Sequence, residues 1–339
     1  MKKLLVVFTG GTIGSAAADG VIDTDPGAGR KLLHMFRAAD PLADRVSFTA
    51  IQPLRILSEN LQPGHWSGLI AAIEALDLAQ FAGVVVTHGT DTLAFSAAAL
   101  GLYFNALPLP LLMVSSDLPL DNPRANGLPN FIAAVRFILQ VGAPGVFVSY
   151  QNPGRELAIY RATSLGACLP LSADFHGVGR YVAARLTADG FIDVRVEAAA
   201  GWPKPLRADF SKRILLIRPY PGLDYRYFDV SGVDAVLHDA YHSGTACSSA
   251  EFGGHTALPA FVEYCRGLEI PVYLAAAPST EDCYQTTRDL LASGARVLWN
   301  TPLEAAYAKL LLAYANFNDA DELADFLRQN VAGEVLPAG

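Results

Sequence analysis

The strongest constraint on this chain is a repeated alternation of short aliphatic runs with segments whose apolar residues recur at helical spacing. The runs at 4–8, 84–87, 111–115 and 146–149 are continuous rather than alternating, as a strand buried on both faces requires. Between them Trp66, Leu69, Ile70, Ile73 and Leu76 share one helix face, because positions three and four apart lie above one another. Residues 93–104 and 130–141 read the same way. Strand–helix–strand order of this kind builds a parallel sheet covered by helices. From about residue 190 the pattern breaks, and Gly201-Trp202-Pro203-Lys204-Pro205 reads as a linker or hairpin edge. Alternation resumes with strands at 214–218, 235–238, 272–275 and 296–299, and helical stretches at 257–265, 281–292 and 303–315.

The expected fold class is therefore α/β with two domains. A larger N-terminal parallel sheet of flavodoxin or Rossmann-like type covers 1–190, a linker 191–210, and a smaller C-terminal α/β domain 211–339. A chain of 339 residues, 52% hydrophobic and only 17% charged, can fill two cores and is unlike a disordered one. Its net charge of −8 offers no basic surface for nucleic acid. Cys168, Cys247, Cys265 and Cys283 form no Cys-x-x-Cys pair and read as reduced core residues. The apolar run after Met1-Lys2-Lys3 is too short for a signal peptide and reads as a buried first strand. No later segment is apolar enough to span a bilayer, so the expected location is the cytoplasm, with no membrane partner.

In open α/β sheets, ligands bind at the carboxyl ends of the strands. Two loops there carry chemistry. Thr9-Gly10-Gly11-Thr12-Ile13-Gly14 follows the first strand. Its glycines permit a sharp turn with open N–H groups, and Thr12 presents a hydroxyl beside them, a suitable place for a nucleophile. A plain glycine turn fits the same residues equally well, and the spacing is not that of a dinucleotide fingerprint. His88-Gly89-Thr90-Asp91-Thr92 follows the strand at 84–87. Thr90 can hold a water and Asp91 an ammonium group; either can also cap the following helix. His88, emerging from a buried strand, reads as a structural hydrogen-bond donor.

Together the two loops resemble the double signature of the bacterial-type asparaginase family, most of all its intracellular type. Pro53-Leu54 and Ser58-Glu59 fall where that family binds the substrate carboxylate, and Pro119-Leu120, Arg124, Gly127 and Asn130 follow its segment after the fourth strand. The run at 214–218 leading into Pro219-Tyr220-Pro221-Gly222 resembles the opening of its second domain. The resemblance implies hydrolysis of an asparagine side-chain amide by acyl transfer. Thr12 would be the nucleophile, Thr90 the second catalytic threonine and Asp91 the ligand of the substrate's ammonium, with Gly11, Ser58 and Glu59 completing the cradle. It implies no metal or organic cofactor, a small amino-acid substrate, and a homodimer or homotetramer.

Two departures stand out. The family's catalytic lysine, matched from Val146 without gaps, falls at Arg161. Arginine stays protonated and cannot serve as a base, although it could hold Asp91 in a two-pronged ion pair. The family's loop tyrosine has no counterpart between 14 and 29, and its aspartate after the arginine is Asn126. Loss of the lysine and loss of the tyrosine each remove a proton-handling group worth about 10²–10⁴-fold in rate. A weak enzyme, an amidohydrolase for another amide, and a quiet homologue that binds aspartate or asparagine as a sensor or as a partner protein all stay open. His238 and His242 lie four apart but on a strand, where their rings diverge. Thr245 stands in a turn that the family directs toward a neighbouring site.

Overall fold

The computed structural model describes residues 1–18, 21–24, 27–197 and 199–337. The chain forms two compact units, one of residues 1–204 with 331–333, the other of residues 205–330 with 334–339.

In the first unit β1 (Lys2–Val7) leads through a 3-10 turn at Thr12–Gly14 into a hairpin, β2 (Ser15–Ala18) and β3 (Val21–Thr24). There follow α1 (Ala28–Ala39), β4 (Val46–Ile51), α2 (Pro63–Glu74), β5 (Gly83–Thr87), α3 (Leu93–Tyr103), β6 (Pro110–Val114), α4 (Gly127–Gln140) and β7 (Gly145–Gln151). Then β8 (Leu157–Arg161), β9 (Ala184–Thr187) and β10 (Gly190–Ile192) complete an eight-stranded sheet of order β10-β9-β8-β7-β6-β5-β1-β4. The strands from β4 to β7 run parallel, as the sequence pattern predicts. The last three return antiparallel, which periodicity had not separated from loop. The turn signal is nevertheless present: Asn152-Pro153-Gly154 reverses the chain between β7 and β8.

Burial explains the strand composition. Every residue of β5 and β6 is buried, so neither strand can alternate with polar residues. Nine of the eleven residues of α3 are buried too, which is why it reads as apolar all round. On one face of the sheet Leu4, Val6, Val85, Leu112, Phe131, Phe137, Phe147 and Ile159 form a continuous core. Phe36 of α1 meets Phe48 and Phe131 edge-on, each at 5.5 Å between ring centroids. Full burial of one such side chain is worth about 1.5–3 kcal/mol.

The second unit holds β11 (Ile214–Ile217), β12 (Ala235–Asp239), α5 (Leu258–Gly267), β13 (Val272–Ala277), α6 (Gln285–Ser293), β14 (Arg296–Trp299), α7 (Leu303–Asn316) and α8 (Ala320–Arg328). Its sheet is parallel in the order β11-β12-β13-β14. Lys309 of α7 is 1% exposed and donates to the Gln329 carbonyl and to the fully buried Glu334, each at 2.6 Å. His238 on β12 meets the Tyr225 hydroxyl through Nε2 at 2.9 Å. His242 lies beyond the strand in a tight turn, where the Tyr241 N–H donates to the Thr245 carbonyl at 2.9 Å. Among the described residues no three His, Cys, Asp or Glu side chains come together as a metal site.

Candidate active site

The exit of β1 is tied to its neighbours before it turns. Thr9 Oγ1 donates to the Thr87 carbonyl at 2.7 Å, joining the ends of β1 and β5. The Ile56 N–H donates to the Thr9 carbonyl at 3.0 Å, and the Gly11 N–H to the Ile56 carbonyl at 2.9 Å, which pins the segment leading to Ser58 against the same turn.

Three loops thus converge, and glycine lets them touch. Gly10 has φ +102°, and a Cβ there would lie 2.4 Å from the Ile56 carbonyl oxygen. Gly11 has φ 71° and ψ −175°, a region essentially reserved for glycine. A Cβ on Gly11 would lie 2.3 Å from both N and Cα of Gly89, and one on Gly89 would lie 2.4 Å from Ser58 Oγ. These contacts set the turn holding Thr12 directly against the loop holding Thr90 and Asp91.

Ser58 is the hub on the far side. It is 3% exposed, donates to Asp91 Oδ2 at 2.9 Å, and accepts from the Asp91 N–H at 3.3 Å. Thr92 Oγ1 closes the link by donating to the Ser58 carbonyl at 2.9 Å. Asp91 is exposed, and its other carboxylate oxygen has no partner among the described residues. Glu59 stands exposed in the 3-10 turn Ser58–Asn60. Thr12 and Thr90 are half-buried, and neither hydroxyl bonds to any described residue. The same holds for the N–H groups of Gly89 and Thr90. The structure therefore brings Gly11, Thr12, Ser58, Thr90 and Asp91 together, with Glu59 at the rim.

His88 lies beneath this cluster. It is 2% exposed, with Nδ1 2.8 Å from the Gly89 carbonyl. Burial pushes its pKa below the ordinary histidine value, while the carbonyl and Asp91 pull weakly the other way. It is a neutral donor bracing the loop. Cys168 approaches from the segment after β8, where burial and the charges of Asp91 and Asp174 push its thiol pKa up.

Arg161 is the exception. It pairs across the sheet with Phe147, which lies beside Leu112 and Val85. That register is three residues short of His88 and three strands across, about 17 Å away at ~3.3 Å per residue and ~4.8 Å per strand. Its guanidinium donates to the Glu197 carbonyl at 2.5 Å and stands 5.9 Å from the Phe147 ring centroid. Among the described residues Arg161 makes no ion pair with Asp91, the role open to it from the sequence.

Among the described residues no lysine takes its place. Of the six in the chain, Lys2 and Lys3 lie at the opposite end of β1, Lys31 pairs with Asp121, and Lys204 ends the first unit. Lys212 and Lys309, in the second unit, pair with Asp234 and Glu334. Asn126 proves structural: its Oδ1 accepts from the Asp117 N–H at 2.9 Å while its Nδ2 donates to the Gln151 carbonyl at 2.8 Å. An ionised carboxylate could do only the first. Of the tyrosine-free segment 14–29, residues 19, 20, 25 and 26 lie outside the described residues.

Comparison with known proteins agrees with this geometry. Residues 3–166 match the family model described as "Asparaginase, N-terminal". The chain is 26% identical to the L-asparaginase of Thermococcus kodakarensis over 98% of its own length and 99% of the relative's. It is also 26% identical to a glutamyl-tRNA(Gln) amidotransferase subunit of Aeropyrum pernix, over 98% and 79%. The solved structure of the thermostable L-asparaginase from Thermococcus kodakarensis superposes with a TM-score of 0.80 at 25% identity, covering 99% of this chain and all of that one. L-asparaginase I from Vibrio cholerae, at 22% identity and TM-score 0.79 over 99% of both chains, has the same fold. Loops, sheet order and relatives converge: residues 3–166 match the N-terminal domain of asparaginases, and the chain as a whole is similar in sequence and fold to an L-asparaginase.

Proposed function

We propose that the protein hydrolyses the side-chain amide of L-asparagine to L-aspartate and ammonia, with Thr12 as nucleophile. The observation that carries this reading is the Gly11–Gly89 contact, which joins two loops whose Thr12 and Thr90 hydroxyls and Gly89 and Thr90 N–H groups have no partner among the described residues. In the reaction Thr12 Oγ bonds to the amide carbon, and the N–H groups of Gly89 and Thr90 stabilise the oxyanion that forms. The carbon–nitrogen bond then breaks, the proton given up by Thr12 Oγ leaving on the nitrogen as ammonia, and water cleaves the acyl-threonine to aspartate and restores the hydroxyl. Asp91, oriented by Ser58, holds the substrate's ammonium group, and Thr90 faces the reacting carbon. Glu59 and Gly11 complete the cradle.

The protein works without a cofactor, as a cytoplasmic homodimer or homotetramer. Four unbridged cysteines support a reducing compartment. Among the described residues no helix is long and apolar enough to cross a membrane. Exposed Tyr220, Tyr227, Phe252, Tyr264 and Tyr284 on the second unit favour a covering copy.

A second reading is favoured by the relatives named as glutamyl-tRNA(Gln) amidotransferase components and by the absence of a lysine at Asp91 among the described residues: the chain would be an amide-binding subunit with a partner. Ammonia release from L-asparagine, D-asparagine and L-glutamine, with Thr12→Ala as blank, separates the two. Turnover of L-asparagine that disappears in Thr12→Ala is the expected result. Asparagine binding by calorimetry without turnover would overturn the hydrolase reading and leave the subunit reading.

A further inference from the structure

Several buried charges of this protein have a counter-charge at hand: Lys309 has Glu334, Asp40 has Arg136 and Asp224 has Arg226. Arg161 does not. It is 9% exposed, yet no carboxylate lies within 4.0 Å of it among the described residues. A cation withdrawn from water needs an opposite charge or a full set of acceptors. The guanidinium carries five N–H donors, and the structure supplies one acceptor, the Glu197 carbonyl, to Nη2. Nε and Nη1 have no partner among the described residues, and neither is sealed off from accessible space. Packing holds the group in place. The Phe147 ring centroid is 5.9 Å away, and a Cβ on Gly333 would lie 2.5 Å from Arg161 Cδ. The tail that carries Gly333 is tied down in turn, because the Thr163 hydroxyl donates to the Ala332 carbonyl at 3.0 Å.

Arg161 lines a cavity of about 250 Å³ at the start of β6 and β7, the end of the sheet away from Asp91. Phe104, Leu107, Pro108, Pro144 and Val146 give it apolar walls. One cation among such walls suits an anion with an apolar body, and a guanidinium takes a carboxylate by two parallel bonds. Helix α3 ends at this cavity with Phe104 and Asn105, yet none of its carbonyls accepts from the guanidinium. The negative end of its dipole opposes a second charge on the ligand, which disfavours a dianion such as phosphate. An ammonium group would find no carboxylate in the lining. Asn105 is already committed, its Oδ1 accepting from the Trp202 N–H and its Nδ2 donating to the Leu102 carbonyl, each at 2.8 Å. Amino acids are therefore a poor fit.

We propose that this cavity is a binding site for a small aliphatic monocarboxylate, whose carboxylate supplies the counter-charge that Arg161 lacks and whose hydrocarbon body meets the apolar walls. It is separate from the amide site and does not depend on the reaction assigned there.

The probe is isovalerate, titrated by calorimetry into the full-length protein at constant ionic strength. Saturable binding is expected, with the melting temperature raised by about 3–6 °C at ten times the dissociation constant. Arg161→Gln should weaken binding about tenfold or more. Ala106→Phe should do the same, since it keeps the guanidinium and fills the cavity from an exposed position on its lining; it decides the matter if the first variant does not fold. Asp91→Ala should bind as the wild type does, which separates this site from the amide site. Phosphate and L-valine, the latter being isovalerate with an added ammonium, should compete about tenfold less well or worse. No binding by the wild type, binding retained in either folded cavity variant, or binding lost in Asp91→Ala would overturn the proposal. Equal competition by phosphate or L-valine would overturn the choice of a monocarboxylate.

Discussion

Replacing Gly11 by alanine tests the central claim about the site, that its loops are positioned by direct backbone contact. The new methyl would begin 2.3 Å from N and Cα of Gly89, whereas non-bonded carbon atoms settle at about 3.5–4.0 Å. One loop must therefore retreat by roughly 1.2–1.7 Å, and neither can slide freely. Gly11 is held by the Ile56 carbonyl, and Gly89 is flanked by Ser58. A misplacement of about 1 Å between reacting groups can cost about 10²-fold in rate. The backbone at φ 71°, ψ −175° adds strain of about 1–3 kcal/mol for any residue with a Cβ. For a unit of this size that lowers Tm by about 2–12 °C. Turnover of L-asparagine and a thermal melt should be measured together, with Gly68→Ala as control. Gly68 sits within α2 and a Cβ there meets nothing within 4 Å, so that change should be neutral or stabilising by up to about 1 kcal/mol. If Gly11→Ala keeps wild-type turnover and melting temperature, the loops are not in the contact described and the argument fails.

Other outcomes follow from single groups. Arg161→Lys should leave turnover unchanged while lowering the melting temperature, because the guanidinium serves Glu197 and Phe147 rather than Asp91; a rate increase would restore a proton-transfer role to that position. His238 is buried and its pKa is lowered to about 4 from 6.5. The unfolded chain thus binds more protons between those values, and the second unit loses roughly 3 kcal/mol as pH falls from 6.5 to 4. Urea midpoints across that window should flatten in His238→Gln, which keeps an acceptor for Tyr225, and an unchanged slope would refute the assignment. Glu334→Gln leaves the buried Lys309 ammonium without its counter-charge and should destabilise by about 3–5 kcal/mol. Lys309→Met combined with Glu334→Leu should recover most of that loss, as read by denaturant titration.

How much of the molecule is legible in its sequence differs by element. The parallel strands announce themselves because burial on both faces leaves no room for polar residues, so Val84-Val85-Val86 and Leu111-Leu112-Met113 can be little else. Helix α1 carries Ala28, Leu32 and Phe36 four apart, and α8 carries an Asp319 cap that accepts from the Asp321 and Glu322 N–H groups. Both signals are local and could have been read. Strands β9 and β10 are short pieces with half-exposed residues, and they exist only because β9 has β8 to pair with and β10 has β9. Nothing in their own residues requires it.

The site divides along the same line. Local sequence determined that Gly10 and Gly11 make a turn, that Thr12 follows it, and that Thr90 and Asp91 open a helix, because backbone freedom and capping depend on nearest neighbours. Distances between those loops depend instead on sheet register, which is a property of paired strands. Register alone placed Arg161 opposite Phe147, at the end of β8 far from Asp91. It also gave Ser58 its place on Asp91, 33 residues away in the chain. A sequence names the groups that can react. Only the packed sheet, by fixing which strand ends share a level and a face, decides which of them meet.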